Sequence, residues 1–106
     1  MTTEQTSTQA VAPRPGVQVD VEDQATYKQL LYLPESYDAS GAFPLMLFLH
    51  GAGERGADLT RVKVHGPPKL IESGQHLPFI VVSPLAPPGG GWDTGRLSQL
   101  LDKVTA

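Results

Sequence analysis

The chain has 106 residues, the length of one small domain. It carries a formal net charge of −3 and contains no cysteine, which argues against a nucleic-acid partner and excludes disulfides and zinc–thiolate sites. Its 11 glycines and 10 prolines predict a loop-rich chain.

The N-terminal segment, residues 1–16, is predicted to be a disordered tail and linker because it is rich in Thr, Gln and Ser. It has neither the basic start nor the apolar run of a signal peptide. The longest apolar stretch, Leu45–Leu49, is too short to cross a bilayer. We therefore expect a cytoplasmic protein that binds no membrane.

Four segments are predicted to form strands. Val17–Glu22 alternates apolar and polar residues, and Thr26–Leu33 is rich in strand formers and is followed by Pro34. Pro44–His50 and Phe79–Ser83 are apolar runs without alternation. That pattern is typical of strands buried on both faces of an α/β sheet.

Helical segments are expected between and after these strands. Asp58 is predicted to cap a first helix, which the break at Gly66–Pro68 would end. The apolar side of this helix would be Leu59, Val62 and Val64. One or two helical turns are expected over Lys69–Ser73, and a final helix is expected after Asp93 or Thr94. The apolar face of that final helix would be Leu97, Leu100, Leu101 and Val104. This order of elements predicts an α/β fold with a mostly parallel sheet and crossover helices.

The loop Gly51–Gly56 matches the G-x-G-x-x-G pattern of dinucleotide-binding proteins. Three features argue against that interpretation. The large His50 precedes the loop, the next helix is expected only near Asp58, and the following strand ends at Ser83 without an acid to hold a ribose. A nucleotide-binding fragment therefore remains only the third alternative, and no cofactor is predicted.

The same loop fits a second pattern. An apolar strand followed by His-Gly-x-Gly is typical of the oxyanion-hole loop of α/β hydrolases. Gly51 and Gly53 allow a sharp turn, which would present the backbone N–H of Ala52 at the carboxyl edge of the sheet. There it would stabilise the oxyanion that develops on an ester carbonyl.

Several blocks in the right order extend this pattern to a family. The chain resembles the N-terminal half of bacterial α/β-hydrolase esterases, in the branch of dienelactone hydrolases, phospholipase/carboxylesterases and prolyl-oligopeptidase-like predicted peptidases. The blocks that carry the resemblance are Phe48–Gly56, Val62–Ile71, Phe79–Pro84 and Trp92–Asp93. It implies that residues 17–106 are the N-terminal portion of an α/β-hydrolase domain, truncated before the nucleophile strand.

The resemblance also implies roles for individual residues. Ala52 would donate the oxyanion N–H, and His50, Gly51 and Gly53 would support the loop, with His50 not acting as the base. Trp92 would lie near the mouth of the active site, where it is either a wall of the pocket or part of the core.

We expect structural roles for the other charged and titratable residues. Glu54 and Arg55 are expected to form an ion pair that holds the loop, with a direct substrate contact by Arg55 as the alternative. The three histidines, His50, His65 and His76, are scattered along the chain, so no metal site is predicted.

The catalytic triad of the resembled family has no counterpart here. None of Ser73, Ser83 and Ser98 lies in a Gly-x-Ser-x-Gly nucleophile elbow, and the family's acid and histidine follow that elbow in the chain. We therefore expect the N-terminal fragment of a serine hydrolase that acts on carboxylic esters or peptides and is inactive alone.

The alternative is a non-catalytic interaction module. Without a nucleophile strand, Leu45–Leu49 would lie at an exposed sheet edge, and such an edge can pair with a strand of another chain.

Overall fold

A four-stranded mixed sheet forms the centre of the molecule. The computed structural model describes residues 13–23, 25–38 and 40–105. The strands are β1 (Gln18–Val21), β2 (Gln29–Tyr32), β3 (Leu45–Leu47) and β4 (Ile80–Pro84). They lie in the order β1-β2-β4-β3. β1 with β2 and β2 with β4 are antiparallel, and β3 with β4 is parallel.

The expectation of a mostly parallel sheet is therefore wrong for the described part of the chain. The connection from β1 to β2 is short and returns the chain beside itself, which gives antiparallel pairing. Only β3 and β4 are joined by a crossover long enough to hold helices, and these two strands are parallel.

Burial differs between the two strands that were predicted to be covered on both faces. β4 is buried from Val81 to Pro84, because Val82 packs against Leu97 and Leu100 on one face and Val81 packs against Ile71 on the other. All three residues of β3 are only partly buried. β3 is therefore covered only in part on both faces, by the α2 cluster at Leu45 and Leu47 and by the Ile71 cluster at Met46, and it lies at an edge of the described sheet.

The segment between β3 and β4 contains short helices. A 3₁₀ turn spans Ala52–Glu54, and a second 3₁₀ helix spans Leu59–Val64. Asp58 caps the second by accepting the N–H of Thr60 at 3.0 Å, as predicted. Leu59 and Val62 are buried, but Val64 is half exposed, so its predicted place on the apolar face is wrong.

Helix α1 spans Gly66–Glu72 and begins three residues before the predicted start at Lys69. The preceding 3₁₀ helix ends at Val64, as the predicted break requires, and Pro67 and Pro68 lie in the first turn of α1. Proline is tolerated in a first helical turn because the N–H groups there have no partner within the helix.

Helix α2 spans Thr94–Thr105 and covers one face of the sheet. Asp93 caps it by accepting the N–H of Arg96 at 2.9 Å. Leu97 and Leu100 are buried, as the amphipathic pattern predicts. They pack in one cluster with Val19, Tyr27, Leu31 and Val82.

The predicted disordered tail lies mostly outside the described residues. Its last residue, Gly16, donates its backbone N–H to the carbonyl of Leu33 at 2.8 Å. Within the ranges that the structure describes, no helix is long and apolar enough to cross a membrane.

Candidate active site

His50 lies just beyond the end of β3 and joins two loops through both of its ring nitrogens. Its side chain is buried, and the backbone N–H of Ala86 donates to Nε2 at 3.0 Å. Because Nε2 accepts a hydrogen bond, the ring proton is on Nδ1, which donates to the carbonyl of Gly51 at 2.6 Å. Both nitrogens of the neutral ring are thus occupied, and His50 has no free position from which to act as a base.

The glycine-rich loop is closed by two further contacts. The N–H of Glu54 donates to the carbonyl of Gly51 at 3.3 Å, and the Glu54 carboxylate accepts the N–H of Gly51 at 3.0 Å. Gly56 donates its N–H to the carbonyl of Ala86 at 3.0 Å. Both backbone groups of Ala86 are therefore bound to the loop, one by His50 and one by Gly56.

The expected ion pair between Glu54 and Arg55 is not formed. Glu54 instead contacts Gly51 and lies 3.8 Å from Nε2 of His65. No carboxylate of the described residues lies within ion-pair distance of Arg55. The Arg55 side chain is exposed and faces a cleft.

This cleft has a volume of about 310 Å³ and brings together four of the six predicted site residues, whereas Ala52 and Gly53 are not among the residues that line it. It is lined by His50, Gly51, Arg55, Ala86, Gly89, Gly90, Gly91 and Trp92. We call it the His50 cleft. Three consecutive glycines give one wall that carries no side chains, so the backbone itself borders the space.

Trp92 is both a wall of the cleft and part of the packing beneath it. Its ring centre lies 4.9 Å from that of His50 and 5.4 Å from that of Tyr27. The Tyr27 hydroxyl accepts the N–H of Asp93 at 2.8 Å. Tyr27 thereby holds the residues that lead into α2.

Two residues that position this site were not foreseen from the sequence. Ala86 contributes only backbone groups, which carry no sequence signal, and its partner His50 is 36 residues away. The sequence indicates Tyr27 only as one of the strand formers in Thr26–Leu33.

The serines do not form a catalytic pair in this structure. Ser83 is completely buried in β4, and Ser73 and Ser98 are exposed. No serine hydroxyl of the described residues bonds to a histidine. Residues 13–23, 25–38 and 40–105 also contain no cluster of three potential metal ligands.

The nucleotide alternative gains no support from the loop geometry. A helix starting at the third glycine would be needed to face a pyrophosphate. After Gly56 the chain instead forms the 3₁₀ helix Leu59–Val64.

Comparison with solved structures identifies a fold neighbour. The chain is similar to the crystal structure of a thermostable esterase, with a TM-score of 0.52 and 23% sequence identity. The match covers 83% of this chain and 28% of the esterase chain. No protein-family model matches the chain, and no curated protein matches it. The similarity shows that the chain has an esterase-like fold over little more than a quarter of that esterase's length.

Proposed function

We propose that this chain supplies the oxyanion side of an α/β-hydrolase site that acts on carboxylic esters or peptides. The donor is the backbone N–H of Ala52. The proposal rests on the esterase-like fold and on one observation, the fixed orientation of the Gly51–Ala52 peptide group.

That peptide group is oriented through its carbonyl. The carbonyl of Gly51 accepts hydrogen bonds from His50 Nδ1 and from the N–H of Glu54. In a planar trans peptide the C=O and the following N–H point in opposite directions. Two donors on the Gly51 oxygen therefore turn the Ala52 N–H away from His50. A donor fixed before the reaction begins needs no reorganisation when negative charge develops.

The catalytic chemistry would then be acyl transfer. A nucleophile attacks the carbonyl carbon, the C=O π electrons move onto oxygen, and the Ala52 N–H stabilises the resulting oxyanion. One such donor is worth about 10²–10³ in rate. The nucleophile, acid and base would come from residues outside this chain, and we expect the chain alone to show no enzymatic hydrolysis of p-nitrophenyl acetate.

A binding experiment tests the donor without requiring turnover. Phenylphosphonate is a tetrahedral anion that mimics the oxyanion, and we expect it to shift the amide NMR signals of Ala52 and Gly53. Ala52→Pro removes the N–H and should abolish the effect, whereas Ala52→Gly keeps the N–H and should retain it. Equal binding to both variants would contradict the proposed donor.

The open edge of β3 favours a second candidate function, docking of a partner strand. Phe48 donates its N–H to Val82, and Ile80 donates to the carbonyl of Pro44. Hydrogen bonds of a parallel pair alternate along the strand. Leu45 and Leu47 therefore direct their N–H and C=O groups to the opposite edge, where no strand of the described sheet lies.

A charge placed on that edge tests docking. Leu49 is 39% exposed, so Leu49→Lys should leave the fold intact while it repels an added strand. Leu70→Lys is the matched control, because Leu70 is 41% exposed on α1. We expect only L49K to reduce self-association or partner binding in sedimentation velocity experiments. Equal behaviour of both variants would refute the docking role.

A further inference from the structure

A second cleft of about 320 Å³ shares no lining residue with the His50 cleft. We call it the Tyr27 cleft. It is lined by Asp23, Thr26, Tyr27, Lys28, Gly56, Ala57, Leu85, Pro87, Pro88 and Arg96. Tyr27 and Leu85 are each only 3% exposed and form an apolar floor, and the exposed Pro87 and Pro88 add apolar surface at its side. An apolar cleft of this size with a few polar groups is typical of small-molecule sites.

Asp23, the acidic residue of this cleft, already has hydrogen-bond donors and an ion-pair partner within the protein. Asp23 accepts hydrogen bonds from the backbone N–H groups of Ala25 and Thr26 and from the Thr26 hydroxyl. The ammonium group of Lys103 lies 3.0 Å from its Oδ2 atom. The negative charge of Asp23 is thus balanced inside the protein and does not repel an anionic ligand strongly.

The two basic residues of the cleft, Lys28 and Arg96, form weaker ion pairs or none with the described residues. Arg96 has no carboxylate of the described residues within ion-pair distance. Its guanidinium carbon lies 5.9 Å from the centre of the Tyr27 ring. Lys28 is 3.9 Å from Glu22, and both side chains are substantially exposed, so this pair is weak. The cleft therefore combines an apolar floor with an excess positive charge.

We propose that the Tyr27 cleft binds a small carboxylate with an apolar body, independently of the oxyanion loop. The carboxylate pairs with the planar guanidinium of Arg96, and Lys28 adds attraction at longer range. The body of the ligand lies on Tyr27 and Leu85. A carboxylate fits better than a phosphate because the largely apolar lining offers few donors for additional oxygens.

Amide NMR titration with 3-phenylpropanoate and with its neutral analogue 3-phenylpropanamide tests this site. We expect the acid to shift the signals of Gly56, Ala57 and Leu85. We expect it to bind about tenfold more tightly than the amide, the scale of one charge-assisted hydrogen bond.

Variants of the exposed Arg96 separate charge from packing. Arg96→Met keeps the aliphatic stem near Tyr27 and should weaken binding of the acid about tenfold. Arg96→Lys should recover part of that loss. Lys69→Met, which removes an exposed charge from α1, should have no effect.

Three results would overturn the proposal. They are equal affinity for the acid and the amide (including no binding of either), an Arg96→Met variant that binds as well as the unmodified protein, and shifts confined to Gly51 and Gly91 of the His50 cleft.

Discussion

The backbone N–H of Ala86 donates to Nε2 of His50, and this contact connects the end of β3 with the segment that follows β4. Ala86 is 1% exposed, so water cannot replace a lost partner. The same imidazole fixes the carbonyl of Gly51. One buried side chain therefore sets the position of both walls of the His50 cleft.

His50→Leu should lower the free energy of unfolding by about 1–3 kcal/mol, because it leaves the buried N–H of Ala86 without an acceptor. Urea denaturation followed by circular dichroism measures this change. The control is His65→Leu. The His65 side chain is 65% exposed, and its replacement should stay within about 0.5 kcal/mol. Equal effects of the two substitutions would contradict a special role for His50.

Asp23 should make the free energy of unfolding fall when the pH becomes strongly acidic. Partial burial, the largest single influence, raises its pKa, but hydrogen bonds from Thr26 and Lys103 together bring the pKa below its ordinary value of 3.8. The stabilisation that the Asp23 carboxylate contributes is therefore fully present above pH 3.8. It is lost as the pH falls through the lower pKa that Asp23 has in the folded state.

Asp23→Asn tests this dependence. At pH 7 the variant should be less stable by about 1 kcal/mol, and the difference should shrink in strong acid. Asp20→Asn serves as the control because Asp20 is exposed on β1. A difference between D23N and the unmodified protein that stays constant from pH 7 to pH 2 would show that the carboxylate charge is not the cause.

Gly66 lies where the backbone requires a glycine and where Phe48 leaves no space. Its φ is +62°, and a Cβ at this position would lie 2.7 Å from the Phe48 ring. Gly66→Ala should therefore cost both backbone strain and repacking, about 2–4 kcal/mol in total. Gly74→Ala adds only the strain, because its φ is +102° but no atom of the described residues, apart from its chain neighbours, lies within 4 Å of the added Cβ. Thermal unfolding should rank G66A clearly below G74A, and the reverse order would be incompatible with the Phe48 contact.

Replacement of Ser83 should not lower the stability of the protein, unlike replacement of most buried polar residues. Its hydroxyl has no hydrogen-bond partner among the residues that the structure describes, although Ser83 is completely buried. Ser83→Ala removes a desolvated group and should leave stability unchanged or raise it by up to about 1 kcal/mol. Thr26→Val should instead lower it by about 1 kcal/mol, because the Thr26 hydroxyl donates to Asp23 at 2.7 Å. A large loss of stability in S83A would contradict this prediction, because it would mean that the Ser83 hydroxyl has a hydrogen-bond partner.

Local patterns predicted the elements better than their arrangement. The alternation around β1, the Asp58 cap and the apolar face of α2 were all read from neighbouring residues, and the structure confirms them. The break predicted at Gly66–Pro68 became the start of α1, because proline at the beginning of a helix is compatible with it.

Errors arose where distant parts of the chain decide the outcome. The apolar composition of β3 predicts burial on both faces, but burial depends on how completely the helices cover the sheet, and all three residues of β3 stay partly exposed. Glu54 was paired with the adjacent Arg55, whereas in the fold its carboxylate faces the N–H of Gly51.

The sequence by itself determined the elements, the glycine-rich loop after an apolar strand and the absence of a nucleophile elbow, because each depends on residues close together in the chain. Only the tertiary structure decided that His50 bonds to Ala86, that both border one cleft, and that Arg96 lies over Tyr27 beside another. These contacts join residues 36 and 69 positions apart. The order of the strands in the sheet brings these residues together. The backbone group that takes part in the His50 contact leaves no signature in the sequence.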